Sequence, residues 1–187
     1  MLSTLFVALR TLIVLSLLTG VLYPALVLGV GRLAFPEQAS GSLIERDGRI
    51  VGSRLVGQPF AAPKWFESRP SATGAHPYDA RASSGSNLGP TTPALAELVR
   101  SRVERWRGAS SGAVPVDLVT SSGSGLDPHL SPAAALFQVD RVAAARGLAP
   151  EHVRALVLDH VEGRTFGVLG EPRVNVLELN LALDRLH

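Results

Sequence analysis

Apolar and polar positions follow two different regimes along this chain. From Thr11 to Gly31, 21 residues pass without a charge, in a run dominated by Leu, Val and Ile, and Arg10 is the one charge that precedes them. A helix of that length rises about 31 Å, enough to cross the hydrocarbon core of a bilayer. A cleaved secretory signal would carry a shorter apolar region, about 7–15 residues, ending at a small-x-small site. The best such site here, Gly29-Val30-Gly31, lies at the far end of the run. A retained transmembrane helix over 11–31, behind a short segment 1–10, is the preferred expectation. Pro24 withholds a backbone donor and is expected to loosen or kink the helix near Gly20. Thr19, Gly20, Gly29 and Gly31 are small enough for other helices to approach closely. Arginines flank both ends (Arg10; Arg32, Arg46 and Arg49), so charge bias assigns no orientation.

Beyond the helix the pattern shortens and alternates. Ser42–Arg46 and Arg49–Ser53 flank Asp47-Gly48, a two-residue hairpin signal. Leu55–Phe60 reads as a further extended piece, with Pro59 marking an edge or a strand end. Residues 61–92 hold Pro63, Pro70, Pro77 and Pro90 among Ser, Ala and Gly, and predict a long irregular stretch. That stretch also carries Trp65, Phe66 and Tyr78, so it is expected to be ordered and packed. Thr92-Pro93 opens a helix by an N-cap and a first-turn proline, continued by Leu95, Leu98, Val99, Val103 and Trp106. Val114, Val116 and Leu118 alternate as a short strand. Ser131-Pro132 caps a helix over Ala133–Arg146, and another runs from Pro150 to about Glu162. Thr165–Leu169 resembles a strand, and Arg173-Val174 is an extended entry. Asn175 and Glu178 have capping-box spacing for a terminal helix through Leu186. The fold class is α+β: one N-terminal transmembrane helix followed by a single mixed domain over 36–187.

Composition narrows the function. The 187 residues include no cysteine, which excludes a disulfide framework, a thiolate metal site and a cysteine nucleophile. Residues 36–187 balance 16 basic against 16 acidic side chains, and a net charge of +2 offers no basic stripe for nucleic acid. Of the 18 basic residues, Lys64 alone is lysine. It follows a proline, so no phosphate-binding P-loop exists. The histidines show no H-x-x-x-H pair, and His152 and His160 read as exposed helix residues. Carboxylates are scattered singly, with nothing to mark a general acid/base pair. The chain has no catalytic motif, and no metal or cofactor is assigned to it from these residues.

Two polar clusters remain. One joins Arg69-Pro70-Ser71-Ala72-Thr73 and Tyr78 to Ser83-Ser84-Gly85-Ser86-Asn87-Leu88, and the other is Ser121-Ser122-Gly123-Ser124-Gly125-Leu126-Asp127. Successive Gly/Ser amides can form an anion-binding nest. The plainer expectation is that these loops fold against one another and fix the domain's shape.

Taken in order, Gly41-Ser42-Leu43-Ile44, Gly57-Gln58-Pro59-Phe60, Arg69–Thr73, Ser83–Leu88, Val114–Asp127 and Val174–Asp184 closely resemble the C subunit of the Kdp-type potassium-transporting ATPases of bacteria. The resemblance spans essentially the whole chain. It implies a non-catalytic accessory subunit of a high-affinity potassium pump in the bacterial inner membrane. Its implied partners are a potassium-channel-like subunit, a P-type ATPase subunit, a small single-span subunit and membrane lipid. It also implies a single pass, with a cytoplasmic amino terminus and an extracytoplasmic domain. Members are described as catalytic chaperones that raise the ATP affinity of the ATPase subunit, with a serine/glycine stretch likened to an ABC-type signature. By that likeness Ser83, Ser84, Gly85, Ser86 and Asn87 are nucleotide candidates, with Ser84 where the family usually has glycine, and any ATP would be met through the complex. An outer domain does not meet cytoplasmic ATP, so an assembly role is preferred over a nucleotide-sensing regulator or a membrane-anchored binding module.

Overall fold

A computed structural model describes residues 2–110 and 112–186 of the chain. Met1 and His187, which end the expected segments 1–10 and 36–187, lie outside the described residues, as does Ser111. The chain divides into two compact units, Met1–Ile44 and Glu45–His187.

The first unit is helical. α1 (Leu2–Leu17) passes through a π turn at Leu18–Leu22 into α2 (Tyr23–Ala34), followed by the short α3 (Pro36–Ala39). Pro24 has no N–H to return to the preceding turn, and the helix widens just ahead of it, with the Tyr23 N–H reaching back to Leu18 O. The expected loosening near Gly20 takes this form. The Thr11 and Thr19 hydroxyls donate to Val7 O (2.9 Å) and Leu15 O (2.7 Å), so neither needs a partner outside the helix. Leu2–Ala34 is a 33-residue helix long and apolar enough to cross a membrane, and none of its described side chains is buried.

β1 (Leu43–Arg46) and β2 (Arg49–Ser53) form the predicted two-stranded hairpin. Asp47 and Gly48 both take positive φ (54° and 72°), as a two-residue turn with the native strand twist requires.

The core of the second unit is built late in the chain. α4 (Pro93–Trp106) is followed by β3 (His129–Leu130), α5 (Pro132–Phe137), α6 (Val139–Arg146), α7 (Pro150–Asp159), β4 (Val161–Glu162), β5 (Arg173–Asn175) and α8 (Val176–Leu183). β5 is the middle of an antiparallel sheet ordered β3-β5-β4, with Leu130 and Val161 both opposite Val174. α7 packs against α5, α6 and α8, and α5 and α8 pack on this small sheet. Val139, Val142, Val153, Val157, Leu179 and Leu183 are fully buried there. Two caps hold as read: Ser131 accepts from the Ala134 N–H, and Asn175 from the Glu178 N–H.

Several local expectations give way. Leu55–Phe60 is not a strand: Leu55 and Val56 donate to Ser53, and the Gly57 N–H goes to Leu126 O (2.8 Å), which leaves no ladder. Val114–Leu118 closes instead into a 3-10 turn, Val116–Leu118, with the Leu118 N–H on Pro115 O. Val116 is 64% exposed and Leu118 only 2%, so the alternation marked no common face. Thr92 precedes α4, but its side chain makes no capping bond. The single helix over 133–146 breaks at Gln138, whose amide is used elsewhere. Pro150 opens α7, but that helix ends at Asp159 so that Val161–Glu162 can pair with β5. Thr165 and Leu169 exchange backbone hydrogen bonds around Phe166 (φ 55°), a closed tight loop and not a strand.

The irregular stretch 61–92 is ordered and packed, as its aromatics suggested. Phe66 is wholly buried, and its N–H and C=O are both met by the side chain of Asn180 at 2.9 Å. The next residue is held the same way: Gln138 accepts from the Glu67 N–H (2.8 Å) and donates to Glu67 O (3.0 Å). Two buried amides thus stand in for a strand partner. Arginines grip the same segment, Arg141 on Pro63 O and Trp65 O, and Arg146 on Lys64 O. A planar guanidinium fork spans two carbonyls, as Arg141 does here, where an ammonium offers one point charge.

Asp184 ties the end of α8 to β1, accepting from Arg46 at 2.7 Å, with Arg146 at 3.6 Å. The Arg46 guanidinium holds the Asp184 carboxyl below its ordinary 3.8. A depressed folded-state value stabilises above the unfolded pKa, and the contribution disappears as pH falls through the folded value. Between about pH 5 and pH 2, native stability should therefore fall more steeply than that of Asp184→Asn, as read by denaturant unfolding at each pH.

Candidate functional site

The two polar clusters meet. The Ser84 N–H and the Ser83 hydroxyl both donate to Ser124 O, each at 3.0 Å. Gly85 backs onto Gly123, where an added Cβ would stand 3.0 Å from the Gly123 carbonyl oxygen. Gly125 is buried at φ +68°, and a Cβ there would fall 2.6 Å from Ser84 O and 2.8 Å from the Thr73 methyl. Only glycine meets both demands at once.

The Arg69–Thr73 segment closes the cluster from below. The Ser71 hydroxyl donates to Gly125 O (2.7 Å) and accepts from the Tyr78 N–H (2.9 Å). Thr73 donates to His76 O (2.7 Å) and accepts from the Asp79 N–H (3.1 Å), which shapes the loop that presents Tyr78. The Tyr78 phenol donates to Arg69 O. Burial pushes that phenol up to about 12, against the Ser68 hydroxyl beside it, which lowers it. The Tyr78 ring lies over Gly57, where a Cβ would be 2.7 Å from the ring and 2.8 Å from Asp127 O. The glycine of the Gly57–Phe60 motif is thus required by close approach.

Arg69 anchors the second loop through Asp127 (3.4 Å) and Ser121 O (3.4 Å). Burial pushes the Asp127 carboxyl up, but hydrogen bonds from His129, with the Arg69 charge, bring it below the ordinary value. Asp127 is therefore an ionised brace at neutral pH. Of the five nucleotide candidates, Ser83 and Ser84 bond to the second loop or to their own neighbours, and Gly85 lies against it. Ser86 and Asn87 are exposed, and Asn87 holds φ 53°.

Sequence reasoning did not single out Asn180 or Gln138 as load carriers for the long loop. A signal existed for both. Val176, Leu179, Asn180 and Leu183 share one face of α8, so a lone amide on an apolar stripe had to find a buried partner. Gln138 falls between Ala134 and Val142 at the same four-residue spacing.

The sequence that builds these features, an apolar anchor followed by an α+β domain, is similar to that of a known family. The profile described as K+-transporting ATPase, c chain (KdpC) matches residues 5–185. A "Potassium-transporting ATPase KdpC subunit" of Methylococcus capsulatus is 59% identical over 182 residues, covering 96% of this chain and 96% of its own. Proteins of the same description from Sorangium cellulosum (59% over 187 residues, 98% of each chain) and Herpetosiphon aurantiacus (58% over 182 residues, 96% and 94%) are similar. The chain belongs to the KdpC family. It is an accessory subunit of a potassium import complex, anchored to the membrane by its N-terminal apolar helix.

Proposed function

We propose that the chain is an assembly and stabilisation subunit of the pump. Its helix packs within the bilayer against the channel-like, P-type ATPase and small single-span subunits, and its domain stands on the outer side, over the potassium entrance. The observation that carries this reading is the helix Leu2–Ala34, uncharged from Thr11 to Gly31, with a π turn at Leu18–Leu22 and no buried side chain of its own. Proline and small residues in a membrane helix are accommodated where neighbouring protein packs closely against them. The loop cluster supports a structural part for the domain, since its hydroxyls and amides are directed at one another.

A second reading, nucleotide sensing that raises the ATP affinity of the ATPase subunit, draws on the exposed Ser86 and Asn87. Protease protection separates the two. Trypsin added outside intact spheroplasts should cut the arginine-rich domain of the assembled complex. A domain that stays whole until the membrane is opened would favour the second reading over the first.

A further inference from the structure

A cavity of about 310 Å³ lies beside the loop cluster, between α4 and the Pro59-Phe60 segment. That is the lower end of the range, about 300–1,000 Å³, in which small ligands bind. Three guanidinium groups (Arg69, Arg102 and Arg105) and one carboxylate (Glu67) line it, with Phe60 and Leu118 as apolar walls.

The charges do not cancel. Arg105 is paired with Glu67, and Arg69 reaches Asp127. Among the described residues Arg102 donates only to neutral acceptors, Val119 O at 2.9 Å and Ser121 Oγ at 3.4 Å. Burial, with Arg105 close by, pushes the Arg102 guanidinium below its ordinary value, as expected of a cation short of counter-charge. The terminal nitrogens of Arg69 reach Asp127, Thr120 and Ser121 at 3.4–3.5 Å, long contacts that leave their donors weakly used. Donors and positive charge therefore converge on a pocket that also has an apolar face. Inorganic phosphate would satisfy the donors and leave that face bare, whereas an organic acid satisfies both.

We propose that this cavity binds an organic carboxylate, with its oxygens taken by Arg102 and Arg69 and its carbon chain laid against Phe60 and Leu118. A guanidinium fork matches the planar, two-oxygen acceptor of a carboxylate. The carboxylate comes either from a free small acid or from an aspartate or glutamate side chain of a partner subunit.

The test uses the full chain in detergent with sodium propionate as probe, against sodium chloride at equal ionic strength. Its thermal unfolding midpoint should rise saturably with propionate. Arg102→Gln should raise the half-saturating concentration by about tenfold or more, the scale of one lost charge-assisted hydrogen bond, and Arg102→Lys by less. Phe60→Ala gives an independent readout should the arginine variants fold poorly: it should weaken butyrate and propionate more than acetate. No saturable shift beyond chloride, the same affinity in Arg102→Gln, or tighter binding of inorganic phosphate than of any carboxylate would overturn the proposal. Repeating the titration on the assembled complex identifies the source. Retained saturation means a free acid; saturation seen in the isolated chain and lost in the complex means a partner's side chain fills the site.

Discussion

Asn180→Ala is expected to lower the unfolding free energy of the chain by about 3 kcal/mol, because it strands two buried backbone groups at once. The Asn180 side chain is 1% exposed and meets the Phe66 N–H and C=O, both at 2.9 Å. Each group left without a partner costs about 1–3 kcal/mol, and the small cavity adds to that. Phe66 is fully buried among the helices, so its backbone cannot turn to water without withdrawing the ring from the core. Asn180→Asp should cost a comparable amount, since it keeps an acceptor for the Phe66 N–H but loses the donor to Phe66 O and buries a charge. Denaturant unfolding of the full chain measures both. A loss below about 1 kcal/mol in Asn180→Ala would mean that the long loop is held mainly by its arginines.

What was legible in the chain depended on how local the cause was. Asp47-Gly48 needs only its own left-handed φ values to make a hairpin, and the hairpin is there. Asn175 and Ser131 cap their helices through neighbours three residues on, and both bonds form. Pro24 acts on the turn just before it, and the π turn appears at that place. Expectations failed where the deciding partner lay far along the chain. Val114–Leu118 alternates as a strand would, yet Asp117 is drawn to the Ser131 N–H, and the segment closes into a turn. β3 and β4 are two residues each, too short to carry a period, and exist because β5 lies between them. The candidate site was legible as two polar clusters and a tyrosine. Their junction through Ser124, Gly125 and Ser71 was not, because those bonds join residues about forty to fifty positions apart.

Replacing residues 1–31 with a cleavable secretory signal is expected to abolish assembly while leaving the domain folded. The second unit, Glu45–His187, holds the whole buried core, and nothing in that core comes from the anchor. The anchor buries none of its described side chains within the chain, so its removal costs the domain no packing. In the membrane the balance reverses. A largely apolar helix with a π turn beside Pro24 presents small residues, against which other helices can pack closely. The secretory signal keeps the domain on the side proposed for it, so a loss of assembly cannot be ascribed to failed export. The deciding measurement is co-purification of the freed domain with the tagged ATPase subunit, set beside its own unfolding transition. The account predicts a cooperative transition like that of the full chain and no recovery with the complex. Recovery of the freed domain in the same proportion as the native chain would contradict it.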